Sequence, residues 1–139
     1  MTIAHYNSTE VHPNISGNGT FTFSHDSGSG VNRYLFVQTR GSLLAGIDEV
    51  TAVTYNGLPL TLIFDYTPTG GGFATNCPYI RIWGIASPTT GSNTIAVTYT
   101  GSSGGAIAST YTGCNPTQAT IYQAGSSTGG KATTQLDIL

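Results

Sequence analysis

A chain of 139 residues fits one domain with one core, since domains cluster at roughly 100–150 residues. Only 7% of the residues are charged, with four basic against six acidic and a net charge of −2; an ordinary soluble protein has roughly 25%. No run of like charges occurs, which argues against nucleic acid as a partner, because phosphate binding needs clustered Lys and Arg. No apolar stretch approaches the roughly 18 residues of a membrane-spanning helix, and the eight Tyr, five Phe and one Trp set in alternating segments argue against disorder.

The first residues, MTIAHYNSTEVHP, lack the basic and apolar regions of a secretory signal. Either a signal has been removed, or the protein leaves its cell inside an assembled particle or by lysis. Residues 1–18 read as an extended, polar N-terminal arm, and residues 19–139 as a single domain. The stretch GTFTFS at 19–24 alternates Thr with Phe, which predicts a strand with Phe21 and Phe23 on its core face. After a loop at 26–30, YLFVQT at 34–39 is a fuller apolar run and predicts a central strand.

Residues 50–55, VTAVTY, alternate again and run into Asn56-Gly57. That dipeptide predicts a two-residue type I′ hairpin, since both central positions need φ > 0. Residues 58–64 are expected to return antiparallel as one strand, with Pro59 marking an edge or a strand start. Residues 65–78 form the longest expected loop. YIRIWGIA at 79–86 follows as a strand, with Ile80 and Ile82 on one side and Arg81, Trp83 and Ile85 on the other. PTTGS at 88–92 turns the chain into TIAVTYT at 94–100, and 101–105 turns it into a strand over 106–111. Two weaker strands are expected near 119–122 and 133–139. Helical periodicity and fixed-period repeats are absent, so the pattern predicts an all-β, antiparallel β-sandwich.

The order of these motifs resembles a recurrent bacterial and phage β-sandwich module of jelly-roll type. Its pattern runs "tFsh…gs.nR.LvV", "VtsVtYnG.plt", "iwyl.nPptGsntItVty" and "stYtGv.q". The matching residues are Phe23-Ser24-His25, Asn32 to Val37, Val50 to Gly57, Ile82 to Ile85, Pro88 to Val97 and Ser109 to Gly113. The resemblance implies a jelly-roll-like sandwich used as an appended module in secreted proteins or as a part of phage virions. The C-terminal end stops short of further strands that would complete the second sheet in such modules, so a neighbouring subunit is expected to cover an open edge.

Candidate chemistry is sparse. Gly101-Ser102-Ser103-Gly104-Gly105 fits G-x-S-x-G, but a nucleophile elbow needs a helix after the turn and here a strand follows. Ser24-His25-Asp26 holds the three triad residue types, yet neighbours on a strand point to opposite faces. His5, His12 and His25 with Glu10 or Asp26 fit no metal-ligand spacing. Asp48, Glu49 and Asp65 are oxygen donors that read as solvated loop carboxylates rather than a calcium site. Asn7, Asn14 and Asn18 each open an N-x-S/T sequon near the N-terminus, a pattern expected by chance in so Ser/Thr-rich a chain.

Cys77 and Cys114 are the one candidate disulfide pair; a bridge would suit an external protein, and two free thiols would suit assembly in a reducing cytosol. Trp83, Tyr66 and Tyr79 are candidate stacking aromatics for a sugar, with core filler as the competing role for Trp83. The sum predicts no catalysis, no cofactor and no metal. The expected role is a structural or interaction protein, a phage virion component such as a head decoration, fibre or tail-associated subunit. Its expected partners are further copies of itself or other virion proteins. The alternative is a secreted, extracellular carbohydrate-binding or adhesive module that recognises a glycan.

Overall fold

The computed structural model describes residues 2–13, 17–43, 49–66, 77–101 and 104–115, with the side chains of residues 42, 43, 49, 77 and 78 left aside. The strands expected near 119–122 and 133–139, the core of the long loop, Asn14, Asp48, Ser102 and Ser103 lie outside the described residues. The described residues form strands and no helix: β1 (Ala4–Val11), β2 (Gly19–Asp26), β3 (Tyr34–Leu43), β4 (Glu49–Tyr55), β5 (Leu58–Pro59), β6 (Thr61–Tyr66), β7 (Cys77–Ala86), β8 (Ser92–Thr100) and β9 (Gly105–Thr112). They make a five-stranded sheet in the order β1-β9-β3-β7-β6 and a four-stranded sheet in the order β2-β8-β4-β5. Every pairing is antiparallel. The result is an all-β sandwich of two packed antiparallel sheets.

The alternation read from the sequence explains the core. Phe21 of β2, Val50, Val53 and Tyr55 of β4, and Ile95, Val97 and Tyr99 of β8 face inward from the smaller sheet. Leu35 and Val37 of β3, Tyr79 and Trp83 of β7, and Ala106 and Ala108 of β9 meet them from the larger one. Phe23 packs against the same core while half-buried. The run around Tyr34 is central as expected, with β9 on one side of β3 and β7 on the other.

The hairpin is also where the sequence put it. Asn56 and Gly57 have φ of 49° and 76°, and Tyr55 pairs with Leu58 across the turn, which is the backbone of a type I′ turn. The returning strand differs from expectation, because only Leu58 and Pro59 pair with β4. Pro59 has no N–H to extend a ladder, Leu60 turns inward to 6% exposure, and its N–H donates to the Val53 carbonyl at 2.9 Å. From Thr61 the chain has crossed into the other sheet, where β6 pairs with β7.

A second difference concerns the N-terminus. Ala4–Val11, expected within an arm, forms the edge strand β1 and pairs along its length with β9 of the same chain. Its side chains AHYNSTEV are polar on both faces, so a search for apolar alternation passes over it. The strand is held by its ladder and by polar anchors, with Tyr6 donating to Asp26 Oδ2 at 3.2 Å and Asn7 Nδ2 to the Asp26 carbonyl at 3.2 Å. The Asp26 carboxylate beside Tyr6 pushes that phenol above its ordinary value.

Candidate functional site

Most of the polar residues singled out from the sequence are consumed by the fold. His25 is 1% exposed where the two sheets meet. Its Nδ1 lies 3.0 Å from Thr9 Oγ1 of β1 and its Nε2 lies 2.9 Å from Thr110 Oγ1 of β9. Burial pushes its pKa below the usual histidine value, as desolvation of a cation requires. Ser24 points the other way and shares a hydrogen bond with Ser92 Oγ at 2.8 Å, so these neighbours make no relay. The three histidines do not converge: His12 pairs with Glu10 at 2.7 Å, and no cluster of three metal-ligating side chains occurs among the described residues.

Arg33, near the start of β3, is 6% exposed and organises the loop before it. Its Nε donates to the Gly30 carbonyl at 2.6 Å and its Nη1 to the Ser27 and Gly28 carbonyls at 3.0 and 2.9 Å. The turn between β8 and β9 joins two strands, which leaves the Gly101–Gly105 motif without the helix an elbow needs. Asp65 lies 3.1 Å from Arg81 Nε and is engaged there. Asn7 and Asn18 are likewise engaged, Asn18 Oδ1 accepting from the Gly101 N–H at 2.8 Å.

Two further expectations are corrected. Cys77 opens β7 opposite Leu43, the last residue of β3, while the Cys114 N–H donates to the Asn32 carbonyl just before β3 begins. At roughly 3.3 Å per residue, a ten-residue strand separates them by about 30 Å, so the structure does not bring this pair together. Cys114 is a free, fully buried thiol, and burial pushes its pKa up. Of the three proposed stacking aromatics, Trp83 and Tyr79 are 6% and 1% exposed in the core. The Trp83 Nε1–H donates to Thr39 Oγ1 at 3.2 Å, and the Tyr79 hydroxyl accepts from the Val50 N–H at 3.1 Å. Only Tyr66, 40% exposed on β6, faces solvent.

Because Tyr79, Arg81 and Trp83 point inward, Ile80 and Ile82 point outward, and this turns attention to the outer face of the five-stranded sheet. Directly paired residues share a face, so Ile80 of β7 stands beside Tyr66 of β6, and Ile82 beside Phe64. On β3 the same face carries Tyr34 and Phe36, stacked with ring centroids 4.5 Å apart. Tyr111 of β9 meets Phe36 edge-on at 6.0 Å and His5 of β1 at 5.5 Å. Ile63 reaches over Gly84, where an added Cβ would lie 2.7 Å from the Tyr34 ring. Tyr34, Phe36 and Cys114, with Ile63, Ile82, Ala86 and Tyr111 packed against them, form a second apolar cluster, separate from the core. Beside it runs a groove of about 150 Å³ lined by Phe36, Gln38, Ile82, Ile107, Ser109 and Tyr111.

Among the described residues, Glu10, His12 and Arg40 bring charge to this face, with Arg40 directly opposite Ile80 and Glu10 opposite Ile107. Glu10, His12 and Arg40 sit together there, with Arg40 Nη2 3.6 Å from Glu10 Oε1 and 2.9 Å from His12 Nδ1. The apolar part, spread over β6, β7, the first half of β3 and the end of β9, borders this charge where Ile80 pairs with Arg40. Sequence reading missed it because the strand over 79–86 is apolar on both sides, and alternation then gives no sign of which side is core. Comparison with known protein families, with curated proteins and with solved structures finds no match.

Proposed function

We propose that this chain is a non-catalytic structural and interaction protein that acts by oligomeric assembly, as a virion component of a phage such as a head decoration, fibre or tail-associated subunit. The carrying observation is the apolar cluster on the outside of the five-stranded sheet, at whose margin Ile80 and Tyr66 are 37% and 40% exposed. Contiguous apolar surface of this kind marks an interaction site. The phage attribution draws on the motif resemblance and on the low charge, which suits packing against identical or rigid neighbours. Size-exclusion chromatography with light scattering should give a defined oligomer, and a stable monomer at high concentration would overturn the assembly reading. Detection of the chain in purified particles tests the virion placement separately.

A second reading, a secreted carbohydrate-binding or adhesive module, is favoured by one observation. The groove between Phe36, Ile82 and Tyr111 is uncharged and carries an amide, Gln38, and a hydroxyl, Ser109, a combination that suits a neutral sugar. Affinity electrophoresis in gels containing neutral polysaccharides separates the two readings. Retardation abolished by Gln38→Ala would favour the sugar.

A further inference from the structure

We propose that two copies of this chain join along the free edge of β2, antiparallel about a two-fold axis at Thr22, so that their four-stranded sheets run on as one. The inference rests on the assembly reading and names a partner and a contact for it.

A sheet edge is a row of unpaired N–H and C=O groups, and natural edges are blunted by bulges, charge, proline or shortness. The edge strands β1, β6 and β5 carry such devices. β1 has a bulge between His5 and Asn7 and bears Glu10, β6 has a bulge between Leu62 and Phe64 and bears Asp65, and β5 is two residues long and ends on Pro59. Along Thr20–Ser24, β2 has none. Its eight residues pair with β8 without a register shift, and its one acidic side chain, Asp26, sits at the end, where Oδ1 accepts from the Gly28 N–H at 2.8 Å.

The register selects the occupant. In an antiparallel ladder, residues that bond the neighbouring strand alternate with residues whose N–H and C=O point away from it. The Ser27 N–H donates to the Gly91 carbonyl, one step beyond the Asp26–Ser92 pair, and across β8 the Asn56 N–H donates to the Thr94 carbonyl. Both place Phe21, Phe23 and His25 on the β8 side and turn the backbone groups of Thr20, Thr22, Ser24 and Asp26 to the open side. Asn7 of β1 reaches this edge at its end, donating to the Asp26 carbonyl at 3.2 Å. Among the described residues, no hydrogen bond reaches the N–H or C=O of Thr20, Thr22 or Ser24. These three are evenly spaced about Thr22, so a second β2 laid antiparallel sets Thr22 against Thr22 and Thr20 against Ser24, and every one of these groups is matched. A two-fold contact is self-complementary in this way. On the inner face the same register brings Phe21 of each copy opposite Phe23 of the other, at the non-hydrogen-bonded positions where side chains approach closest. Phe23, left half-buried at the edge of its own core, gains a cover, and no like charges meet along Thr20–Ser24.

The test uses the full chain, light scattering across a concentration series at low salt, and three variants: Thr22→Lys, Thr22→Glu and, on the same outer face but on the inner strand β8, Thr94→Lys. Both positions are solvent-exposed, so circular dichroism should show unchanged folds. In the two-fold register residue 22 meets its own copy, and like charges directly opposite destabilise a strand pair while opposite charges support it. The expected result is an even-numbered oligomer for the wild type and Thr94→Lys, half that mass or less for Thr22→Lys and for Thr22→Glu alone, and recovery of the full mass when these two are mixed in equal amounts. Wild-type monomer at all concentrations would overturn both the assembly reading and this inference. An oligomer that survives Thr22→Lys, or a mixture that does not recover, would leave assembly standing and remove the β2 edge as its site.

Discussion

On the outside of the four-stranded sheet, Thr20, Thr22 and Ser24 of β2 stand beside Thr98, Ala96 and Thr94 of β8, with Thr54 of β4 next in line. On the outside of the five-stranded sheet β6, β7 and the start of β3 hold Tyr34, Phe36, Ile80, Ile82, Phe64 and Tyr66, while Gln38, Arg40, Ser109 and Glu10 occupy other positions of the face. The inner faces are alike, and the outer faces differ in that only the larger sheet carries an aromatic and aliphatic cluster. Thr carries the β-branching that favours a strand together with a hydroxyl that water can satisfy, so the first face is finished as it stands. The second carries large apolar side chains, of which Tyr34 and Phe36 are nearly buried by their neighbours while Ile80 and Tyr66 stay exposed.

The sharpest way to break the comparison is to truncate one residue on each outer face. Phe36→Ala removes a ring that is 8% exposed and lies against Tyr34 and Tyr111, and should cost about 3 kcal/mol by the usual cost of buried aromatic truncations. Thr22→Ala should stay within about 0.5 kcal/mol. Urea midpoints measured side by side decide it. Equal losses would mean that the aromatic face is decoration and the contrast is empty.

Between the faces, His25 provides a pH readout of how well the sheets are joined. It is buried beside Thr9 and Thr110, with Asp26 favouring its charged form and His5 opposing it. Its folded pKa lies below the unfolded value near 6.5, so the unfolded chain binds the extra proton first. The stability it contributes is therefore complete above about pH 6.5 and declines as pH falls through that value toward the folded pKa, by up to about 1.4 kcal/mol per pH unit. His25→Gln should flatten this slope in melts between pH 7 and 5. An unchanged slope would assign the pH dependence to other groups.

At the edge of the threonine-bearing sheet, Gly57 has φ of 76° with open space around it. Gly57→Val should therefore destabilise by about 1 kcal/mol or more through backbone strain alone. An unaltered melting midpoint would show that the turn relaxes to another type.

That turn was legible because its chemistry is local: Asn and Gly tolerate φ > 0 whatever surrounds them. The inward faces of β2, β4 and β8 were legible because one side of each is polar. Where both sides agree, the sequence is silent. β7 is apolar on both, so Trp83 and Ile80 could have exchanged places on paper. β1 is polar on both, so it read as an arm. The inward position of Arg81 goes with partners distant in sequence, the Val50 carbonyl at 2.7 Å from its Nη1 and the Asp65 carboxylate at 3.1 Å from its Nε. His25 is the same case, since its two threonines come from strands 16 and 85 residues away.

The smallest effect is expected from the threonine face itself, and it tests whether that face is merely soluble or also stabilising. Thr20 and Thr98 are directly paired, with their hydroxyls 3.0 Å apart. A cross-strand pair of this kind contributes roughly 0.2–1 kcal/mol relative to alanines, and here water competes for both hydroxyls. Thr98→Ala should cost about 0.5 kcal/mol, and once Thr20 is also alanine the two losses should add to less than their sum. A double-mutant cycle in urea reads that coupling directly. Full additivity would mean that the hydroxyls prefer water to each other. The face would then owe its stability to β-branching alone.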